Sequence, residues 1–226
     1  MRLSQRLQAI LEWVEPCGTA ADIGCDHGRL SAELLLSGRA ERVIAADISR
    51  PSLEKAVRLG RELGMEGRLE TRAGDGLSVL KRGEADCIVM AGMGAMLMAT
   101  LLEREEETAK AAGQLVLSPN NYEERLRAYL VGNGFLIEKE RYLFEAGHYY
   151  PILSVHAGQA EPYSPAELLL GRAERSQGGR EAYCSYKKET LRGIVRAAAL
   201  GGGRAEEALE VLGILEEETH DNGKTI

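Results

Sequence analysis

The chain has 226 residues, of which 44% are hydrophobic and 28% are charged, an ordinary composition for a globular protein. This length accommodates one domain of ample size, or one domain with an appendage. The net charge of −7 at pH 7 argues against a surface that is basic throughout, so any nucleic-acid contact has to be local.

Hydropathy, the N-terminal pattern and the spacing of the cysteines limit the classes of protein to which the chain can belong. No apolar run approaches the roughly 20 residues that cross a membrane, and the N-terminus opens an amphipathic pattern and not a signal peptide. The four cysteines form no C-x-x-C pair and have no metal-ligand spacing. We therefore expect reduced thiols, no metal site, no membrane association and a cytoplasmic location.

The first two-thirds of the chain alternates between helical and extended patterns. Apolar residues recur at helical spacing from Leu3 to Val14, which predicts an opening helix that ends near Pro16. Strands are predicted near residues 20–23, 43–47, 69–72, 86–91 and 114–117, with helices between them near residues 29–37, 51–63, 96–102 and 122–133.

Extended structure resumes after Gly134, and residues 141–144 and 149–155 flank a predicted hairpin turn at residues 145–148. A series of βα units followed by a hairpin is typical of the α/β class. The sequence thus predicts a doubly wound, mostly parallel sheet with one antiparallel strand.

A linker at residues 158–165 separates this region from a different, helical one. A helix is predicted from Leu168 to Val195, broken or kinked at Gly178 and Gly179, and a second helix over residues 204–219 follows the glycine turn at residues 201–203. Two helices joined by a short turn fold back as an antiparallel pair. We therefore divide the chain into a domain at residues 1–157 and a linker with a coiled-coil-like helical domain at residues 158–226.

The helical region has an uneven charge distribution. Residues 171–204 contain eight basic and three acidic side chains, a balance of +5, whereas every charge in residues 205–221 is acidic except for the histidine at 220. Basic residues interleaved with tyrosines can follow a phosphate backbone. Alternatively, the two helices carry opposite charges because they pair with each other, and the sequence leaves both explanations open.

The most informative motif is Asp22-Ile23-Gly24-Cys25-Asp26-His27-Gly28, which joins a predicted buried strand to a helix. Such glycine turns bring backbone N–H groups close to a nucleotide-like ligand. In the dinucleotide fingerprint G-x-G-x-x-G the second glycine admits a pyrophosphate, but Asp26 occupies that place and would repel it. S-adenosylmethionine fits better, because it carries a sulfonium, an α-amino group and an adenosine but no phosphate.

Further candidate residues follow the other predicted strands. Asp47 ends the second strand, about 20 residues after the turn, where a carboxylate that binds ribose belongs. The remaining candidates are Gly74, Asp75 and Gly76 after the third strand, Ala91, Gly92 and Met93 after the fourth, and Asn120 after the fifth. Because ligands of doubly wound sheets bind beyond the carboxyl ends of the strands, we expect these residues to converge on one site.

With these motifs in hand, the chain resembles the bacterial tRNA (adenine22-N1)-methyltransferases. The resemblance covers residues 3–155 and continues more loosely through the C-terminal helices. It is carried by Leu3-Ser4-Gln5-Arg6-Leu7, Asp22-Ile23-Gly24-Cys25-Asp26-His27, Gly74-Asp75-Gly76-Leu77, Ala91-Gly92-Met93-Gly94 and Pro119-Asn120 with the later Leu126-Arg127-x-Tyr129-Leu130.

The resemblance implies a class I, Rossmann-like methyltransferase domain with a seven-stranded sheet, S-adenosylmethionine as methyl donor and tRNA as substrate. It adds Arg6, Leu7 and Ile48 to the residues expected around the donor. The chain departs from the family pattern at three positions, with Ala95 for a glycine, Asp47 for a frequent glutamate and Ser118 for a frequent glutamine. The last change removes an amide near the expected target-base pocket.

The expected chemistry places few demands on the protein. Adenine N1 already has a lone pair, so the reaction needs alignment of the methyl group with N1 and stabilisation of the cationic product. Asp26 is expected to stabilise that charge or to bind the donor's amino group. His27 is expected to contact the donor or the base, unless it is structural, and Asn120 to contact the base edge, unless it only forms a turn.

Two other functions remain open at this point. One is methylation of another RNA or of a small molecule, with the helical pair as a lid or dimer element. The other is RNA binding without catalysis by a protein that keeps a vestigial donor pocket. The intact Gly24, Asp26, Asp47 and Asp75 argue against this second alternative.

Overall fold

The computed structural model describes residues 3–201 and 205–222. One seven-stranded sheet, with the order β3-β2-β1-β4-β5-β7-β6, forms its centre. The strands are β1 Cys17–Ile23, β2 Ala40–Asp47, β3 Leu69–Ala73, β4 Cys87–Ala91, β5 Gln114–Ser118, β6 Phe135–Glu145 and β7 His148–Ala157. Strand β7 is antiparallel to both of its neighbours, and β1 to β5 are paired in parallel, which confirms the predicted doubly wound sheet.

Helices cover both faces of the sheet. They are α1 Gln5–Trp13, α2 Arg29–Leu36, α3 Arg50–Glu62, α4 Ala95–Arg104, α5 Glu106–Ala111, α6 Glu123–Gly132, α7 Pro165–Leu170, α8 Arg180–Gly201 and α9 Glu206–Asn222. Short α5 was not predicted, because six residues are too few to show a helical period. In the described part of the chain, none of these helices is both long and apolar enough to cross a membrane.

The core has one apolar layer on each face of the sheet. Side chains alternate between the layers along each strand, so Ile88 and Met90 of β4 contribute to one layer while Cys87 and Val89 contribute to the other. The central strands are buried on both faces and are therefore apolar almost throughout. Asp22, Asp47 and Ser118 lie at or near the carboxyl ends of β1, β2 and β5, where the loops meet.

The C-terminal helices pack against α6 and β6. The ring of Tyr142 on β6 stacks on Tyr183 of α8 with centroids 3.9 Å apart, and both belong to an apolar cluster with Leu170 and Leu215. Arg180, at the start of α8, binds Glu218 near the end of α9 at 2.7 Å, which confirms the predicted antiparallel pair.

The predicted long helix after the linker is interrupted, as the glycine pair indicated. Helix α7 ends at Leu170, a short 3₁₀ helix spans Ala173–Arg175, and α8 begins at Arg180, directly after Gly178 and Gly179. The linker is one residue shorter than expected, since Pro165 is already the first residue of α7. Most of the predicted turn at residues 201–203 lies outside the described residues.

A buried arginine joins the two regions of the chain. Arg127 of α6 is 0% exposed, and its guanidinium donates to Glu140 Oε2 (2.9 Å), to the hydroxyl of Tyr142 (2.7 Å) and to the carbonyl of Leu168 (2.8 Å). The bond to Leu168 crosses the predicted boundary at residues 157 and 158, whereas the other two stay within the first region. The division into two domains therefore stays a prediction.

Candidate functional site: the carboxyl edge of the sheet

The loop between β1 and α2 has the backbone shape that its glycines require. Gly24 and Gly28 adopt φ of 75° and 70°, and Asp26 between them adopts φ of 50°, all left-handed conformations that favour glycine or aspartate. The N–H groups of Gly24 and Cys25 donate to the carbonyl of Ala46 at 2.8 and 3.0 Å. The loop is thereby attached to the end of β2.

Asp47, the last residue of β2, holds the same loop through its side chain. Its Oδ2 accepts from the N–H of Asp26 at 3.0 Å, and its Oδ1 accepts from the N–H of Ser49 at 2.8 Å. The residue predicted to bind ribose therefore also supports the loop, and each oxygen retains a lone pair for a ligand.

Asp22 lies deeper, at the end of β1. Its side chain is 3% exposed and accepts a hydrogen bond of 2.5 Å from the hydroxyl of Ser31. Burial, with a smaller contribution from the negative charge of Asp47, raises the pKa of Asp22 to about 6 against the opposing effect of the Ser31 hydrogen bonds. A cationic group bound nearby would favour the ionised form.

Asp26 and His27 form a chain of contacts with a lysine that the sequence did not single out. Nδ1 of His27 lies 2.6 Å from Oδ2 of Asp26, and Nε2 lies 2.6 Å from Nζ of Lys55 on α3. An ammonium group only donates, so this arrangement fits a neutral imidazole whose Nδ1–H donates to Asp26. No sequence motif identifies Lys55, because its contact with His27 depends on how α3 packs on the loop.

The loop after β3 adds a fourth carboxylate to the edge, after those of Asp22, Asp26 and Asp47. Asp75 is half-exposed, and its Oδ2 accepts from Arg104 of α4 at 2.7 Å. The N–H of Gly74 donates to the carbonyl of Asp47 at 3.2 Å, which brings this loop beside β2. Arg104 is another residue that sequence patterns did not identify.

The loops after β4 and β5 are joined by Asn120. Its Nδ2 donates to the carbonyl of Gly92 at 2.7 Å, its backbone N–H donates to the carbonyl of Met93 at 2.9 Å, and its Oδ1 accepts from Arg6 at 2.8 Å. These bonds fix the orientation of the amide. One N–H and one lone pair of the amide stay available to a ligand.

Arg6 is positioned by the hairpin of β6 and β7. Its guanidinium lies 4.4 Å from the ring centre of Tyr150 on β7. Glu145, at the end of β6, accepts from the N–H of Gln5 at 2.7 Å and so caps the start of α1. The hairpin of β6 and β7 thus holds α1 against the site.

Two adjoining cavities, of about 310 and 260 Å³, lie at this edge. The first is lined by the predicted residues Arg6, Leu7, Asp22, Gly24, Asp26, His27, Ala91 and Gly92. The second is lined by the predicted residues Gly24, Asp47, Ile48, Gly74, Asp75, Gly76, Ala91, Gly92 and Met93. The structure therefore brings the predicted donor residues together, and Asn120 contacts the shared wall through Gly92.

Gly24 lines both cavities, and its φ of 75° is a conformation that strains a residue with a side chain. A Cβ on Gly24 would lie 2.5 Å from Cε of Met93. The polar lining consists mainly of carboxylates, which suits a cationic ligand with ribose hydroxyls and not a pyrophosphate. Among the described residues, no group of three or more His, Cys, Asp or Glu side chains is arranged to hold a metal ion.

Comparison with known proteins identifies the family. Residues 3–153 match the model of a methyltransferase domain. The tRNA (adenine(22)-N(1))-methyltransferase of Bacillus subtilis is 34% identical over 172 residues, which cover 76% of this chain and 72% of that enzyme.

Solved structures agree with this match. The B. subtilis m1A22 tRNA methyltransferase superposes with a TM-score of 0.78 at 28% identity, covering 97% of this chain and 96% of that one. A Streptococcus pneumoniae protein, provisionally a tRNA (m1A22) methyltransferase and solved with S-adenosyl-L-methionine, gives a TM-score of 0.84 at 27% identity, covering 96% and 99%. The chain belongs to the family of tRNA (adenine(22)-N(1))-methyltransferases.

Proposed function

We propose that this protein transfers the methyl group of S-adenosylmethionine to N1 of adenine 22 in tRNA. The observation that carries the proposal is the pair of adjoining cavities at the carboxyl edge of the sheet, lined by Asp22, Asp26, Asp47 and Asp75. Membership of the family supplies the substrate, since fold and pocket alone do not identify it.

The two cavities fit the two halves of the methyl donor. Asp47 and Asp75 line the second cavity and are suited to accept from the ribose hydroxyls and the adenine amino group. The first cavity combines the carboxylates of Asp22 and Asp26 with the guanidinium of Arg6, which suits the amino and carboxylate groups of the methionine moiety. When bound, S-adenosylmethionine supplies an electrophilic methyl group.

The residues of the site then have to orient the adenine and accommodate a positive charge. Asn120 is held by Gly92 and Arg6 in an orientation that leaves one N–H and one lone pair for the base edge. Methylation at N1 makes the base cationic, and the side chain of Asp26, which is 72% exposed, is placed at the cavity mouth to stabilise it. His27 orients Asp26 through its Nδ1–H.

A tRNA substrate implies that the target adenine leaves its stack to enter the site. It also places the protein in the cytoplasm, which fits its four unpaired cysteines.

The direct test is methyl transfer from labelled S-adenosylmethionine to an unmodified tRNA transcript, followed by nucleoside analysis. The expected product is 1-methyladenosine, and it should vanish when adenine 22 of the transcript is replaced by guanine. Direct formation of N6-methyladenosine, or equal labelling of both transcripts, would contradict the proposal.

A further inference from the structure

Helix α3 carries a row of cations that have no partner in the described structure. Arg50, Glu54, Arg58 and Arg61 lie on one face of the helix, and the three arginines are exposed. With Thr71 and Ala73 of the edge strand β3 they line a groove of about 600 Å³. Among the described residues, none forms a hydrogen bond or an ion pair with the guanidinium group of any of the three arginines.

Unlike the arginines of α3, several basic residues of the C-terminal helices have acidic partners. The sequence had nevertheless made these helices the more obvious candidate for an RNA-binding surface. Arg180 binds Glu218 at 2.7 Å, Lys187 binds Glu123 at 2.9 Å and Arg192 binds Glu216 at 2.8 Å. Each of these cations is already neutralised by a carboxylate. Contact of these side chains with phosphate would require an existing ion pair to break.

The helix that forms one wall of the groove also contacts the methyl-donor loop. Helix α3 packs directly on that loop, because a Cβ on Gly28 would lie 2.7 Å from Cβ of Ala56. Lys55, the neighbour of Ala56, places its ammonium 2.6 Å from Nε2 of His27. Helix α3 therefore contacts the donor loop through Ala56 and Lys55, and the groove with its three arginines lies on the side of the same helix that faces β3.

We propose that the groove between α3 and β3 binds the phosphate backbone of the tRNA while the target adenine occupies the site. Arg50 and Arg61 are 11 residues apart, which corresponds to ~16 Å along a helix, so the row faces more than one phosphate. Guanidinium groups bind phosphate in a planar, bidentate manner. This proposal rests on the proposed function, which supplies the RNA.

The test compares two triple variants that each remove three positive charges. The groove variant is Arg50→Gln, Arg58→Gln, Arg61→Gln. The control variant is Arg42→Gln, Lys81→Gln, Arg82→Gln, whose exposed residues lie near the amino ends of β2 and β4, away from the donor loop. Binding of an unmodified tRNA transcript is measured from 50 to 300 mM salt, with thermal unfolding as the check on folding.

We expect the groove variant to bind tRNA more weakly and to lose about 2 to 3 units of the log–log salt slope, since each phosphate contact contributes roughly 0.7 to 0.9. Its affinity for S-adenosylmethionine should stay unchanged, and its KM for tRNA should rise with little change in kcat. The three single variants should each lose about a third of what the triple variant loses, roughly 0.7 to 0.9 units of slope, which keeps the test valid if the triple variant is unstable.

The proposal is overturned if the groove variant binds tRNA with the wild-type affinity and slope, or if the control variant loses as much as the groove variant does. The proposed function fails separately, if the wild-type protein binds tRNA through the groove but forms no 1-methyladenosine at position 22.

Discussion

The backbone N–H of Asp26 donates a hydrogen bond of 3.0 Å to the carboxylate of Asp47, 21 residues later in the chain. Asp26 has φ of 50°, a conformation that few residues other than glycine adopt. The bond supports this conformation, so Asp47 both lines the second cavity and shapes the loop of the first. The donor site is thus one coupled structure and not two independent pockets.

Replacing Asp47 tests that coupling. Asp47→Ala should weaken binding of S-adenosylmethionine by roughly 1–3 kcal/mol, because ribose hydroxyls and the N–H of Asp26 both lose their acceptor. Calorimetry with the wild-type protein should also show one donor per chain and no tighter binding of NAD. Glu62→Gln, at the end of α3, is the matched control and should leave donor affinity unchanged.

Asp26→Asn removes the negative charge of the side chain and keeps its shape, so it tests the role of the charge alone. Asparagine tolerates the left-handed backbone as aspartate does, so the thermal unfolding midpoint should change little. Methyl transfer should fall much more than stability, since the negative charge beside the cationic product or the donor's amino group is lost. If the variant keeps full turnover and unaltered donor affinity, Asp26 neither stabilises the cationic product nor binds the donor's amino group.

The buried carboxyl of Asp22 should make stability depend on pH. Its folded pKa of about 6 lies above the value of 3.8 expected when unfolded, so the folded protein retains a proton that the unfolded chain releases. This group's contribution to stability is therefore complete below about pH 4 and is lost as pH rises through 6, a cost of about 3 kcal/mol at pH 7.

Asp22→Asn should remove this loss of stability at neutral pH, because the amide carries no charge and its oxygen can still accept the hydrogen bond from the hydroxyl of Ser31. Urea unfolding of the donor-free proteins should show the variant more stable than the wild type at pH 7 to 8, and the difference should shrink towards pH 4. A difference that is constant across this range would mean that Asp22 does not titrate as described.

Lys187 is expected to serve stability and not RNA binding. It binds the buried carboxylate of Glu123, which also accepts from the hydroxyl of Tyr183. Lys187→Glu should lower the free energy of unfolding by roughly 3 kcal/mol or more, because it places a second negative charge beside Glu123. Arg196→Glu is the matched control, since Arg196 and its partner Glu189 are both about two-thirds exposed, and it should cost less than about 1 kcal/mol.

If Lys187→Glu instead folded normally and lost tRNA affinity with a reduced salt slope, the C-terminal helices would provide the RNA surface. Denaturant unfolding and tRNA binding, measured on both variants, distinguish these results.

Truncation tests the predicted division of the chain. A chain ending at residue 157 should fold and bind the donor, because every residue that lines the two donor cavities precedes that point. A chain ending at Gly171 should unfold at a higher temperature, since it keeps the carbonyl of Leu168 as an acceptor for the buried Arg127. Equal unfolding temperatures would show that α7 adds nothing to the first domain.

Local sequence patterns predicted the order of the strands and of most helices, the hairpin and the positions of the donor residues. These features depend on local chemistry: the apolar period within each segment, the glycines that permit a left-handed turn, and the acid that ends β2. Their convergence also followed, because the carboxyl ends of parallel strands share one edge of a sheet.

The contacts between side chains of distant segments, in contrast, depend on the packing of the whole fold. Lys55 meets His27, and Arg6 meets Asn120 across 114 residues, through packing that no local pattern encodes. The charges of the C-terminal helices had two explanations in the sequence, and the structure pairs Arg180 and Arg192 with carboxylates of α9. A charge attracts whichever opposite charge folding brings within a few ångströms, and that distance is fixed by the whole fold and not by neighbours along the chain.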